Sequence, residues 1–360
     1  MVSDQALRVA VIGCGNISGA YGETMSAYPS VRIAGATDVD RALSEAFVDR
    51  FGGVHYPSLD DVLGDPAVDA IVNLTYPGVH AEVTSAALEA GKHVHSEKPL
   101  AGDYPSARTL VDLAADRGLR LSCSPITFMG EAQETMWRLV DEGAVGPVRV
   151  AYAEVNWSRI ESWHPRPEPF YRIGPFADVG VYPLTILTAM FGPARRVTAF
   201  GKVLYPDRTT TSGEPFSPGA PDFGVAVVEL ESGTVVRLTA NFYVGRHSKQ
   251  SGIELHGDTG SVFLSSWQEF DATVELAPFG GSYETVPVEN PYRGTDWGRA
   301  LRELSEAIVT GRPHRATGAH AAHIVEILDA TATSATEGRA VDVTSSFQRP
   351  ALLPASPLRP

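Results

Sequence analysis

The stretch His93-Val94-His95-Ser96-Glu97-Lys98-Pro99-Leu100 ends in a lysine locked between a glutamate and a proline. Pro99 has a fixed φ and biases Lys98 toward an extended backbone, which restricts the direction in which the ammonium leaves a short apolar segment. A lysine held that way at a strand end can give or take a proton. The plainer reading of the same residues is a pair of solvated loop charges. A second group, Asp178 and Tyr182, lies four positions apart, and the two share one face if the backbone is helical through both. Alone, that pair also reads as a capping carboxylate and a packing ring.

The elements that must position these groups are legible around them. Residues 7–12 form a nearly continuous, β-branched apolar run, the pattern of a strand buried on both faces. It enters Gly13-Cys14-Gly15-Asn16-Ile17-Ser18, after which the pattern is helical to about residue 28. Gly13 permits a tight turn, and Gly15 lets backbone approach a pyrophosphate at a helix N-terminus. Ser18 stands where a third glycine is usual, and the competing reading is an ordinary strand–turn–helix link. The next strand, 31–37, ends at Asp38, about 20 positions past the glycine turn, where a carboxylate accepts hydrogen bonds from an adenosine ribose. Its charge repels a 2′-phosphate, so NAD is expected over NADP, with Arg41 near enough to relax the preference. The competing role there is capping of the helix that begins near Asp40.

A capped helix from Ser58, a strand at 69–74, a turn at 75–80 and a helix at 81–90 closed by Gly91 follow. With a helix at 104–117 and a strand at 119–124, this alternation predicts a doubly wound parallel sheet. Such sheets bind ligands at the carboxyl edge, where Thr75, Pro77, Glu97 and Lys98 fall. Beyond Pro125 the pattern becomes α+β, with a helix over 131–141 and a long strand over 148–157. The segment 163–171 carries Pro165, Pro167 and Pro169 and is expected to be irregular, a loop whose aromatic, His and Arg side chains suit a polar ring or simply staple the surface. A helix is expected from 178 to about 190. Strands at 196–203, 225–231, 235–243, 253–256 and 261–264 predict a large, mainly antiparallel open sheet, a surface suited to burial against another subunit. Residues 204–221 read as an insertion or mobile loop. Helices at 296–309 and 319–333 are expected to return to the first domain. The domains are therefore expected at 1–125 and 126–345, with an extended tail at 346–360.

Taken together, GCGNIS at 13–18, TDVD at 37–40, TYPGVHAE at 75–82 and AGKHVHSEKPL at 90–100 resemble the glucose–fructose oxidoreductase, inositol dehydrogenase and rhizopine-catabolism (Gfo/Idh/MocA) family of nicotinamide oxidoreductases. The resemblance implies a Rossmann domain binding NAD through Gly13, Gly15, Asn16, Ile17, Asp38, Thr75, Pro77, His80, Glu97 and Lys98. It also implies that Lys98 is the catalytic lysine beside the nicotinamide. The family's Asp-x-Gly-x-His segment corresponds to Asp178–Tyr182, with Tyr182 at the histidine position as in the glucose–fructose oxidoreductase branch. Lys98, Tyr182 and Asp178 are the expected catalytic residues. Phe128, Trp163, His164, Tyr171 and Tyr182 are the expected substrate contacts. The implied reaction is hydride transfer with a secondary alcohol carbon of a sugar, cyclitol or glycoside. Two alternatives stay open: an NAD-dependent glycoside hydrolase or lyase working through transient oxidation, and a non-catalytic NAD-binding regulator.

Composition narrows the partners. With 43 acidic against 29 basic residues the formal charge is −14, which argues against nucleic acid or anionic membrane as a partner. Two distant cysteines, Cys14 and Cys123, give no disulfide framework. No continuous apolar run approaches the roughly 20 residues of a membrane span, and the N-terminus lacks a leader pattern. A cytoplasmic protein acting as a homodimer or homotetramer through the open sheet is expected. His320 and His323 lie three apart but lack acidic or cysteine partners at useful spacing, so no metal is expected.

Overall fold

The computed structural model describes residues 6–352, and the chain divides into two compact units. The first unit takes the chain up to Ile126, then Asp296–Val325, then the chain from Pro350. Its strands are β1 (Leu7–Ile12), β2 (Val31–Thr37), β3 (Val54–His55), β4 (Ala70–Asn73), β5 (His93–Ser96) and β6 (Leu121–Cys123). They form one parallel sheet in the order β3-β2-β1-β4-β5-β6. The connecting helices are α1 (Ser18–Ser26), α2 (Arg41–Phe51), α3 (Leu59–Gly64), α4 (His80–Glu89) and α5 (Tyr104–Asp116). Val9, Val11, Ile71, Val72 and Val94 in the central strands are wholly buried, which is why these strands read as apolar without alternation. Each such side chain stabilises the unit by roughly 1.5–3 kcal/mol. The order reverses between β1 and β4, and at that switch point the turns after the two strands diverge and open a crevice at the carboxyl edge.

The second unit takes Thr127–Thr295 and Glu326–Arg349. After α6 (Glu131–Asp141) come β7 (Val148–Asn156), α7 (Glu168–Pro175), α8 (Val181–Phe191) and β8 (Ala194–Lys202). A small hairpin, β9 (Arg208–Thr209) with β10 (Pro215–Phe216), precedes β11 (Phe223–Leu230), β12 (Val235–Asn241), β13 (Gly252–Gly257), β14 (Gly260–Leu264), β15 (Val274–Pro278) and β16 (Glu284–Val286). The helices α9 (Arg299–Thr310) and α10 (Gly318–Glu337) follow, and the last strand is β17 (Val341–Asp342). Nine strands form one sheet in the order β16-β15-β14-β13-β7-β12-β11-β8-β17. Its pairings are antiparallel except one: β7 runs parallel to β12 at the centre, so the unit is not a plain meander. Helix α9 lies in the first unit, and the boundary falls within α10 between Val325 and Glu326.

Two sequence expectations change here. The proline-rich segment 163–171 is not wholly irregular: its second half is the start of α7. Pro169 sits in the first helical turn, where a missing N–H is harmless and the fixed φ suits a helix. Gly174 (φ 79°) then breaks the helix, and a π-helical turn over Phe176–Gly180 leads into α8. Together 168–191 is long and apolar enough to cross a membrane, yet 83% of its most apolar window is buried inside the protein, as in a core helix. Residues 204–221, expected as an insertion or mobile loop, carry the β9–β10 hairpin and are anchored by Arg208. Its guanidinium is buried, donates to Glu161 at 2.5 Å and to Tyr171 at 2.8 Å, and pairs with Asp222. The expected tail from 346 is described only to residue 352. Arg349 there donates to the Ala189 carbonyl at 3.2 Å, and the remainder lies outside the described residues.

His95 and His320 are buried, and desolvation lowers each imidazole from its usual value to about 3. Both rings are therefore neutral in the folded protein and gain protons on unfolding at acid pH. Stability is therefore unaffected by these groups above pH 6.5, falls as the pH drops from 6.5 toward 3, and loses nothing further to them below. Each group should contribute a few kcal/mol to that loss, on the order of 1.4 kcal/mol per pH unit. Thermal midpoints measured across pH 7.5 to 4 should fall, with a smaller fall in His320→Gln. A flat profile would contradict the burial of these rings.

Candidate active site

The turn after β1 is built for close backbone approach. Gly13 has φ 90°, and a Cβ there would stand 2.8 Å from the Leu74 carbonyl oxygen, so only glycine fits. Gly15 differs: a Cβ there meets nothing within 4 Å, so the chain itself does not require the small residue and space is left for a ligand. Asn16 is exposed and Ile17 is the N-cap of α1, with no side-chain cap on the helix. The Ser18 N–H donates to the Gly15 carbonyl at 3.1 Å, and no side chain caps the rest of the first turn, at the positive end of the helix where an anion binds. Ser18 donates to the Gly15 carbonyl at 2.7 Å, so the residue in place of the third glycine braces the turn. Asp38 accepts from the Cys14 N–H at 2.6 Å and from the Asp40 N–H at 2.8 Å, which joins the glycine turn to the end of β2. The helix cap is Asp40, whose carboxylate accepts from Ala42. These features fit a dinucleotide: a pyrophosphate at the uncapped helix and a ribose at the Asp38 carboxylate.

Two strands away, β5 delivers Glu97 and Lys98 to the same edge, and the Lys98–Pro99 bond is cis. Tyr21 of α1, a residue without a sequence signal of its own, organises this corner. Its hydroxyl donates to Glu97 Oε1 at 2.7 Å and lies 2.9 Å from Ser124 and 3.2 Å from His95 Nε2. Glu97 Oε2 in turn accepts the Lys98 backbone N–H at 3.0 Å, so the lysine's backbone is held by the carboxylate before it. Thr75 hydrogen-bonds Asn73 Oδ1 at 2.6 Å, and Pro77 opens an exposed single turn of 3₁₀-helix. His80, expected among the cofactor contacts, is buried with both ring nitrogens turned to backbone carbonyls: Thr75 at 2.9 Å and Pro99 at 2.7 Å. It is a positioning residue that ties the end of β4 to the proline after Lys98.

In the second unit, Asp178 lies in the π-helical turn and Tyr182 in the first turn of α8, both buried. The backbone is helical through both, but the wider π-turn shifts their angular relation from that of an α-helix, a local change often found at functional sites. The Tyr182 ring packs against Trp267 (5.1 Å between centroids), and Trp267 packs against Trp157 (5.5 Å). Trp163 is exposed and meets His164 edge-on, and His164 meets Phe170. Tyr171 and Phe128, expected to contact substrate, are core residues at 1% exposure each. The Tyr171 hydroxyl is taken by Glu161 and Arg208, and burial with the Glu161 hydrogen bond raises its pKa. Phe128 lies in a 3₁₀ turn packed against α6 and α8. Among the described residues no group of three or more His, Cys, Asp or Glu could hold a metal ion.

Known proteins share this architecture. The model of the oxidoreductase family with an NAD-binding Rossmann fold matches residues 7–124, and the GFO/IDH/MocA C-terminal domain matches 134–263. The chain is 31% identical over 265 residues to a dTDP-3,4-didehydro-2,6-dideoxy-alpha-D-glucose 3-reductase of Streptomyces violaceoruber, covering 72% of this chain and 73% of the reductase. It is 27% identical to inositol 2-dehydrogenase 3 of Saccharopolyspora erythraea, covering 72% of this chain and 73% of that one. Among solved structures, an NAD-binding oxidoreductase from Klebsiella pneumoniae superposes with a TM-score of 0.82 at 18% identity, covering 95% of this chain and 100% of the other. Levoglucosan dehydrogenase in complex with NADH and levoglucosan superposes at 0.80 and 20% identity, covering 94% and 100%; at these identities the likeness is one of fold. With both domain models matched in order along one chain, this protein belongs to the GFO/IDH/MocA family of NAD-binding oxidoreductases.

Proposed function

We propose that the protein transfers a hydride between C4 of the nicotinamide of NAD and a secondary alcohol carbon of a sugar, cyclitol or glycoside. The observation that carries this reading is the position of Lys98, at the carboxyl edge of β5 in the sheet whose β1 turn forms the dinucleotide cradle, with its backbone fixed by Glu97. The relatives' names support the substrate class, since they act on deoxysugar and inositol substrates. Bound NAD supplies the hydride acceptor. In the oxidation direction the carbinol C–H leaves as hydride, the hydroxyl proton passes to protein, and a ketone remains. Lys98 assists removal of that proton, Tyr182 is its partner or the direct acid–base group, and Asp178 orients the substrate or the lysine. Phenols and ammonium groups both ordinarily titrate near pH 10, so the transferred proton is treated as belonging to the pair. Asp38 selects NAD, because a 2′-phosphate placed on its carboxylate meets a like charge.

The same reading places the reaction in a reducing compartment such as the cytoplasm, which suits two buried, unpaired cysteines. It also includes self-association through the open face of the nine-stranded sheet. Phe200, Val227 and Val235 are exposed there, on the face that carries Tyr152 and Arg237. In sedimentation, the protein should run as a dimer or tetramer and Phe200→Glu should run smaller; a monomeric parent protein would remove this part of the proposal.

A panel of sugars, cyclitols and glycosides followed at the NADH absorbance, with product analysis, tests the reaction. Stoichiometric NADH with a ketone product is expected, whereas product without net NADH would mark redox-neutral cleavage instead. On any accepted substrate, Lys98→Ala should lower kcat by about 100-fold or more while NAD binding persists; unchanged turnover would overturn the lysine's role. Asp38→Ser combined with Val39→Arg should shift the kcat/KM ratio toward NADP. No shift would count against the ribose contact.

A further inference from the structure

We infer that the groove lined by Ser158, Trp163, Gly245, Arg246 and His247 is a subsite for an anionic group, a carboxylate or a phosphate, carried by the sugar substrate. The inference rests on the hydride-transfer reading and adds to it a charged substrate class. The groove holds about 540 Å³ and lies wholly within the second unit. Its walls are built in advance. The Trp157 N–H donates to the Asn241 carbonyl at 3.1 Å and the Ser158 N–H to the Val244 carbonyl at 3.1 Å. Asn241 Oδ1 accepts from Tyr243 and Val244, closing the turn that presents Gly245 and Arg246. Ser158 has φ 71°, a left-handed conformation uncommon outside glycine that persists only where its surroundings impose it.

The charge pattern points to an anion. In a chain of net charge −14, Arg246 and His247 are both exposed at one groove. The nearby carboxylates Glu161 and Asp222 are already committed to Arg208. The Arg246 guanidinium carbon lies over the Trp157 ring, 3.8 Å from its centroid, and among the described residues no carboxylate pairs with it. The ring contact holds the guanidinium in place, and a guanidinium without a carboxylate partner can grip a carboxylate or phosphate by two parallel hydrogen bonds. From Arg246 the contacts run through Trp157 and Trp267 to Tyr182. Arg246 is thus linked by packed rings to the proposed proton-transfer group.

Binding of glucuronate, glucose 1-phosphate and glucose to the NAD-saturated protein can be read from tryptophan fluorescence, since Trp163 lines the groove. At least one of the two anions should bind about 10-fold or more tightly than glucose, and which one does identifies carboxylate or phosphate as the recognised group. The advantage should vanish in Arg246→Gln, survive in part in Arg246→Lys, and shrink as salt is raised. Equal affinity for the three ligands, or an anion advantage that survives Arg246→Gln, would overturn the subsite. Failure of the oxidoreductase reading is seen separately, as absence of NADH with every sugar tested, charged or neutral.

Discussion

Tyr21 leaves α1 with its ring wholly buried, and its hydroxyl meets Glu97, Ser124 and His95 together. Burial holds the His95 imidazole far below its usual pKa, which favours the neutral ring in this corner. A neutral imidazole has one N–H; with that proton on Nε2 it donates to Tyr21, and Nδ1 accepts from Ser122 at 3.0 Å. Tyr21 is then free to donate its own proton to Glu97. A hydrogen bond to a charged acceptor contributes roughly 1.5–3 kcal/mol, about twice that of a neutral one. The consequence is geometric as much as energetic. The helix that follows the glycine turn and the strand that ends in Lys98 are joined through one phenol, so the cradle and the lysine are held in one rigid corner of the sheet.

Much of this unit was legible because its constraints are local. Strands buried on both faces show as unbroken β-branched runs, Gly13 is required by backbone alone, and Asp38 ends β2 at the expected distance from the turn. The polar ties were not legible. Glu97 and Tyr21 are separated by 76 residues, and nothing around Tyr21 distinguishes a ring that organises a site from one that fills a core. His80 was expected among the cofactor contacts from its place in a recognisable motif; its two nitrogens are engaged by the Pro99 and Thr75 carbonyls, which fixes the backbone there and was not legible from the motif.

In the second unit the strands were readable and their partners were not. Alternation of apolar and polar residues reports that a segment has one buried face, but carries no record of which strand lies beside it. Hence β7, read only as a long strand with no partner assigned, occupies the centre of the sheet beside β12, a parallel neighbour far away in sequence. Prolines misled in a more specific way. Three of them in five positions argue against regular structure in general, yet a proline in the first turn of a helix is favourable, and α7 begins there.

Tyr171 and Trp163 belong to one stretch of aromatics, and burial divides their roles. Arg208, the first residue of β9, uses Tyr171, Glu161 and Asp222 as partners, with its guanidinium 4.3 Å from the Tyr171 centroid. A buried ionic cluster of this kind is weak evidence for stability, because desolvation of three charges offsets much of their attraction. The Arg208 Nε also has no hydrogen-bond partner among the described residues. What the cluster supplies is specificity of shape. A hydrophobic plug of similar volume would anchor the loop in several ways, whereas a planar cation with two carboxylates and a phenol closes in one. The loop from Ile160 to Tyr171 is thereby held from beneath, which leaves Trp163 exposed above it in a fixed position. Of the residues expected to grip a ligand, Tyr171 thus serves as the fastening, and Trp163 is the one left facing solvent.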